Sequence, residues 1–388
     1  MPAKPASSLW TNPNFRNACW QVLTVAVLGA ALGYFIHNSV INLQRQSIAT
    51  GFSFFQREAG FEIGEALIDY APADTYARAF MVGLLNTLQV AGIGIVLSTG
   101  LGIVLGIARL SSNWLLARLA LAYVELIRNI PLLLQLLLLY AVLNTAAPGP
   151  RDAWHPLPGV FISNRGLFLP VPAGDPSHVF IAAAFAIGIV AAFGVRFWAR
   201  KRQERTGQSF PVLAAGAALI LGLPLLAWLA AGAPARMSVP ELTGFNFAGG
   251  LDMPPEFAAL LAGLVIYTTA YIGEIVRSGI LAVSHGQAEA AAALGLKRGL
   301  ILRLVVLPQA IRVIVPPMTS QYLNLTKNST LAVAIGFPDF FSVVNTQINQ
   351  TGQAIEGMAC IIGAYLSVSL TISLLMNIYN ARLALKER

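Results

Sequence analysis

Apolar residues in this chain do not recur on one helical stripe. They run on through whole segments, at positions 19–38, 80–108, 126–146, 178–197, 210–231, 257–283, 313–335 and 358–379. A helix that is hydrophobic all round has no face suited to water, and about 20 such residues cross the hydrocarbon core of a bilayer. The pattern predicts an all-α integral membrane protein with about eight transmembrane helices. The run at 313–335 is the least regular. Pro316 and Pro317 interrupt it and Lys327 sits inside it, so a broken helix is expected there, its freed carbonyls satisfied by neighbouring helices or water.

The polar stretches between the runs differ in kind. The first eighteen residues are weakly basic, with Lys4 and Arg16, and the run after them is long for a signal peptide and lacks a small-x-small cleavage site, so an anchor is expected. Positions 44–76 carry Glu58, Glu62, Glu65, Asp69 and Asp74 and predict an external loop with one short helix. Positions 144–177 are rich in Pro and Gly, with Trp154, Pro156 and Pro158. That loop and the pair of runs after it read as an insertion, because removing two consecutive spans leaves the sidedness of every other span intact. The organisation expected is an anchor and external segment at 1–78, core helices two and three at 79–146, an inserted loop and helix pair at 147–256, and core helices six to eight at 257–388, with a cytoplasmic loop at 284–309.

Composition supports this picture. Hydrophobic residues make up 56% of the 388, charged residues 11%, and mean hydropathy is +0.68, too little charge for a soluble surface of this size. The formal charge of +8 does not point to nucleic acid, because the basic residues cluster at the ends of apolar runs and form no polar domain. Arg109 and Arg118; Arg196, Arg200, Lys201, Arg202 and Arg205; Lys297, Arg298, Arg303 and Arg312; and Arg382, Lys386 and Arg388 all fall on one side if eight spans place both termini in the cytoplasm. Arg45, Arg57, Arg78, Arg151, Arg165 and Arg236 fall on the other side, with most of the acids. Cys19 and Cys360 lie in runs, and His37, His155, His178 and His285 have no ligand spacing, so no metal site is expected. No G-x-x-x-x-G-K-[ST] occurs, so a nucleotide cradle and a cofactor are not expected on this chain.

After the sixth run comes Gly286-Gln287-Ala288-Glu289-Ala290-Ala291-Ala292-Ala293-Leu294-Gly295, continuing through Lys297 and Arg298 to Val305-Val306-Leu307-Pro308. Small helix formers followed by a glycine predict a short helix that another surface can approach closely, ended by a positive-φ turn. This stretch resembles the cytoplasmic loop of ABC importer permeases, E-A-A, three residues, G, nine residues, I-x-L-P, with Val305 in place of Ile. The resemblance implies that Gly286, Glu289, Ala290, Ala291, Gly295, Leu307 and Pro308 belong to a loop that docks on an ATP-binding subunit.

Gly83-Leu84-Leu85-Asn86-Thr87-Leu88, Glu125 to Gln135, Tyr271 to Ile280 and Leu323 to Leu331 are similar to the polar amino-acid branch of these permeases. The external stretch Ala59-Gly60-Phe61-Glu62-Ile63 and the inserted pair resemble the longer permease subunit of general L-amino-acid and glutamate/glutamine/aspartate/asparagine importers. The family implies a five-helix type I importer core in a bacterial inner membrane. Its implied partners are a second, non-identical permease, two ATP-binding subunits and an external amino-acid-binding protein, besides membrane lipid.

Charges at membrane depth cost roughly 2.5–3.5 kcal/mol each even on the lenient insertion scale. Glu125 with Arg128, and Glu274 with Arg277, stand at i, i+3 near inner helix ends. One expectation is that they cross-connect, Glu125 to Arg277 and Arg128 to Glu274; the other is that they snorkel to the headgroups. Asn324, Lys327 and Asn328, with Asn86 and Gln135 facing them, are candidates for a substrate path, where an amino acid needs donors and acceptors at depth. Lys327 equally fits a scaffold pairing. An ion-driven secondary transporter would need mid-depth carboxylates, and a lipid-modifying enzyme would need a clustered nucleophile or metal set; neither pattern occurs.

Overall fold

The computed structural model describes residues 13–45, 50–175, 177–232 and 237–383. Lys4, Arg236, Lys386 and Arg388 lie outside them. Among the described residues, seven helices are long and apolar enough to cross a membrane, and a bent pair at 114–146 supplies an eighth if counted as one span. The chain divides into two compact units, 1–130 with 264–388, and 131–263.

In the first unit, α1 (Pro13–Arg45) is exposed along its length, α2 (Tyr76–Arg109) is capped by the Thr75 side chain, and α3 (Trp114–Asn129) by Asn113. The second part of the chain in this unit brings the end of α7 (Pro255–Leu281), then α8 (His285–Ala293), α9 (Arg298–Ile301), α10 (Leu307–Asn328), α11 (Phe340–Thr351) and α12 (Ala354–Leu383). Ile272 and Val276 of α7 pack on Met318 of α10 in a buried apolar cluster. A second cluster joins Phe54, Ala59, Tyr76 and Phe80 to Phe340, Val343, Val344 and Ile361. Aromatic residues of the segment before α2 are thus sealed against α11 and α12. Of the short helix expected at 44–76, the described part holds a single 3₁₀ turn at Phe52–Gln56.

Two expected boundaries are corrected. The run at 126–146 is no single continuous helix. It starts earlier, as α3, and breaks at Ile130–Pro131, because proline restricts the residue before it to extended backbone; α4 (Leu132–Ala141) then leads into a π turn at Val142–Ala146. Conversely, Pro316 and Pro317 do not break α10. Both lie on its exposed side. The helix tightens instead at 329–335 into a 3₁₀ segment and stops at Gly336, whose φ is +81°.

In the second unit, α5 (Ser177–Thr206) and α6 (Val212–Ala230) form an antiparallel hairpin. The segments flanking it, expected as irregular loop, carry short strands: β1 (Trp154–Leu157), β2 (Val160–Ser163), β3 (Gly166–Leu169), β4 (Val171–Pro172), β5 (Met237–Ser238), β6 (Glu241–Thr243), β7 (Asn246–Ala248) and β8 (Leu251–Met253). The four-stranded sheet has the order β1-β2-β3-β8, antiparallel throughout, with Leu169 opposite Leu251. Phe168 and Phe247 are buried in its small core, their rings 4.8 Å apart.

Candidate functional site

The alanine-rich segment forms α8, and nearly all of it is exposed; Ala291 is its buried residue. Its end is a Schellman turn: the Gly295 amide donates to the Ala292 carbonyl at 2.9 Å and the Leu296 amide to Ala291 at 3.3 Å. That geometry needs positive φ, and Gly295 takes +80°. The turn throws Leu294 outward, where it is 83% exposed, beside exposed Glu289, Ala290 and Ala293. Beyond it, α9 passes through a π turn at Leu302–Val306 into α10 without interruption, with Pro308 directly after the π turn. The helix α8 packs against this π turn at the base of α10.

Charges gather at the C-terminal ends of α2 and α7. The Glu274 carboxylate accepts from Arg109 and, at 2.6 Å, from Arg277. This replaces the expected cross-connection: Arg277 bonds to its own helix neighbour, Arg109 takes the other oxygen, and Arg128 lies over the Tyr271 ring at 5.0 Å. Glu125 is exposed and makes no ion pair among the described residues. Arg109 is the functional candidate that pairwise spacing missed. Its position at the last turn of α2 was its only sequence signal.

At the opposite end, Asn86 is 1% exposed, and its amide donates to the carbonyls of Glu65 (2.8 Å) and Pro338 (2.9 Å). Both donors of Asn86 are thus spent on backbone, fastening α2 to the segment before it and to the turn before α11. Next to it, Asp339 caps α11 through Ser342 (2.8 Å) and accepts from the Tyr365 hydroxyl (3.1 Å); burial pushes its carboxyl up to about 6. Thr87 accepts from the Phe340 amide at 3.0 Å. The Gly51 amide donates to Glu356, and its carbonyl accepts from Gln353.

The remaining path candidates separate. Asn324 and Lys327 share one exposed stripe of α10 with Val313, Pro316, Pro317 and Ser320, while Ala310, Val315, Met318 and Leu325 face inward. Asn328 is half-buried, and Gln135, 7% exposed, belongs to α4 in the second unit. Among the described residues Lys327 has no ion-pair partner. A cavity of about 560 Å³ in the first unit, between Thr99, Ile107, Ile280, Ile311 and Tyr322, includes Leu307 but none of the path candidates and is chiefly apolar. No group of three or more His, Cys, Asp or Glu among the described residues is placed to hold a metal ion.

Residues 98–385 match the family model described as binding-protein-dependent transport system inner membrane component. The chain is 48% identical to the permease protein YhdX of Escherichia coli, over 98% of this chain and 97% of that protein. It is 47% identical to the general L-amino acid transport system permease protein AapQ of Rhizobium johnstonii, over 97% and 94%. Against the glutamate/glutamine/aspartate/asparagine transport system permease protein BztB of Rhodobacter capsulatus the identity is 41%, over 98% and 97%.

Proposed function

The chain belongs to the family of binding-protein-dependent transport system inner membrane components, and from that premise we propose how its parts divide the work of an ATP-driven amino-acid importer. It is the permease subunit, with no catalytic role of its own. Its α8 docks on an ATP-binding subunit, and the exposed stripe of α10 forms half of the translocation pathway. The observation that carries this reading is how the two are joined: the uncovered α8, with Leu294 at its end, turns at Gly295 into α9, which runs on as one helix into the α10 that bears Ser320, Asn324 and Lys327.

A polar stripe cannot face hydrocarbon, so a second permease copy or homologue must cover it. Amino acids as cargo are supported by the resemblance and by the names of the relatives above. In this reading the chain lies in a bacterial inner membrane with both termini in the cytoplasm, needs no cofactor of its own, and receives substrate from an external binding protein. Two ATP-binding subunits act from inside.

The test uses the whole importer purified with its ATP-binding subunits. Leu294→Asp places a charge at the docking tip, and the expected result is at least a tenfold loss of amino-acid-stimulated ATP hydrolysis together with loss of the co-purifying ATP-binding subunit. Stimulation left unchanged, or transport that runs without ATP and stops with an uncoupler, would overturn the reading.

A further inference from the structure

Between α5 and α6 in the second unit runs a groove of about 740 Å³. Its upper limit is set by a close approach: a methyl group on Gly188 would meet the Leu219 carbonyl at 2.6 Å, so the backbones touch there. Below that contact the helices part. The groove is lined by Ile189, Phe193, Leu213 and Ile220, and toward its lower end by Arg196 and Arg200.

The lining from Ile189 to Gln203 covers roughly 21 Å of helix at 1.5 Å per residue. That is about half of a bilayer with its headgroups, so the groove is as long as one leaflet is deep. Trp198 and Phe210 meet edge-to-face at 5.3 Å near the base of the hairpin, an aromatic pair suited to the headgroup level.

The cations at this level are not equivalent. Lys201 lies over Phe197 (4.9 Å), and Arg202 lies over Trp198 (5.4 Å) and bonds to Gln208 (3.0 Å). Arg196 has no ion-pair partner among the described residues. Arg200 pairs only with Glu204, 3.5 Å away, with both side chains largely exposed, a contact of little energy that a phosphate would outcompete.

We propose that this groove is a binding site for one anionic glycerophospholipid of the inner leaflet, an acyl chain lying along Phe193, Leu213 and Ile220 and the phosphate held by Arg196 and Arg200. The charge complementarity and the apolar wall beneath it select this occupant: a soluble anion leaves the wall wet, and a zwitterionic lipid brings its own cation to the arginines. The site rests on the cytoplasmic placement of the 196–205 cluster. A cysteine introduced at Gln208 that is labelled from outside intact cells would remove that placement and leave the lipid measurement standing.

The test is native mass spectrometry of the purified, delipidated importer titrated with dioleoylphosphatidylglycerol or dioleoylphosphatidylcholine. The wild-type importer is expected to hold one phosphatidylglycerol per copy of this chain at least tenfold tighter than phosphatidylcholine, and millimolar inorganic phosphate should not displace it. Arg196→Gln with Arg200→Gln should lose at least tenfold. Lys201→Gln with Arg205→Gln, which removes equal charge outside the groove, should stay within twofold. Ala217→Trp, which fills the groove and keeps every charge, should lose at least fivefold.

Equal binding of the two lipids would overturn the site, as would full displacement by phosphate. Equal losses in both charge variants would reduce it to diffuse attraction, and an unaffected Ala217→Trp would empty the groove of its occupant. The lipid comparison on the wild-type importer needs no variant to assemble.

Discussion

Glu274 holds two guanidiniums while its own side chain is only a quarter exposed, and Arg109 is more covered still. Removing the carboxylate leaves two cations facing each other in a poorly solvated place, and breaking such a pair costs about 3–5 kcal/mol. Glu274→Gln should therefore lower the unfolding temperature of the purified importer markedly. Glu125→Gln, at an exposed position without an ion pair, should cost less than about 1 kcal/mol. Equal shifts in thermal unfolding would mean that Glu274 ties nothing together. Spacing brought Glu274 and Arg277 to one helical face, but it carries no information on how two helices are rotated against each other. For that reason the partner from α2 was invisible. Gly295 was legible for the opposite reason, since its conformation is local. Gly295→Ala puts a side chain at φ +80°, at a cost of roughly 1–2 kcal/mol. Because α8 is exposed, overall unfolding should barely move while substrate-stimulated ATP hydrolysis drops severalfold.

At the scale of elements, the capped start of α11 is where the packing of the segment before α2 against α11 and α12 is decided. Asp339 is buried among Phe340, Tyr365 and the end of the 3₁₀ segment, and burial raises its carboxyl from an ordinary 3.8 to about 6. A raised carboxyl binds its proton more tightly in the folded chain than in the unfolded one. Its contribution is thus most favourable below pH 4 and is lost as pH rises through 6, by an amount on the order of 3 kcal/mol. Asp339→Asn keeps an acceptor for the Ser342 amide and removes the titration. Stability of that variant measured between pH 4 and 7.5 should be flatter than wild type. An unchanged slope would mean that other groups set the pH response. The cap itself, an Asp before an amphipathic run, is a sequence-level signal. Helix breaks were less legible. Proline at 131 ends a helix and proline at 316 and 317 does not, and all three are exposed, so the sequence pattern alone does not tell them apart.

For the molecule as a whole, the apolar runs were enough to place most spans, because in a bilayer all-round hydrophobicity is nearly synonymous with crossing it. They did not foresee the strands around the inserted pair, although Val160 to Ile162 and Leu167 to Leu169 are short apolar runs set close around an Asn-Arg turn. The strands matter because they say where the insertion begins and ends. Leu169 on β3 stands opposite Leu251 on β8, so the chain leaves and returns at neighbouring points of one sheet. Everything from 170 to 250, including α5 and α6, hangs from that pairing. A two-residue Asn-Gly connection closes an antiparallel pair, and removing two spans preserves the sidedness of the rest. A chain in which 170–250 is replaced by Asn-Gly should still assemble with its ATP-binding subunits and retain amino-acid-stimulated ATP hydrolysis within about threefold, while losing the bound phosphatidylglycerol. Loss of assembly would make the hairpin part of the transport core. Retention of the lipid with the hairpin gone would place that lipid elsewhere on the importer.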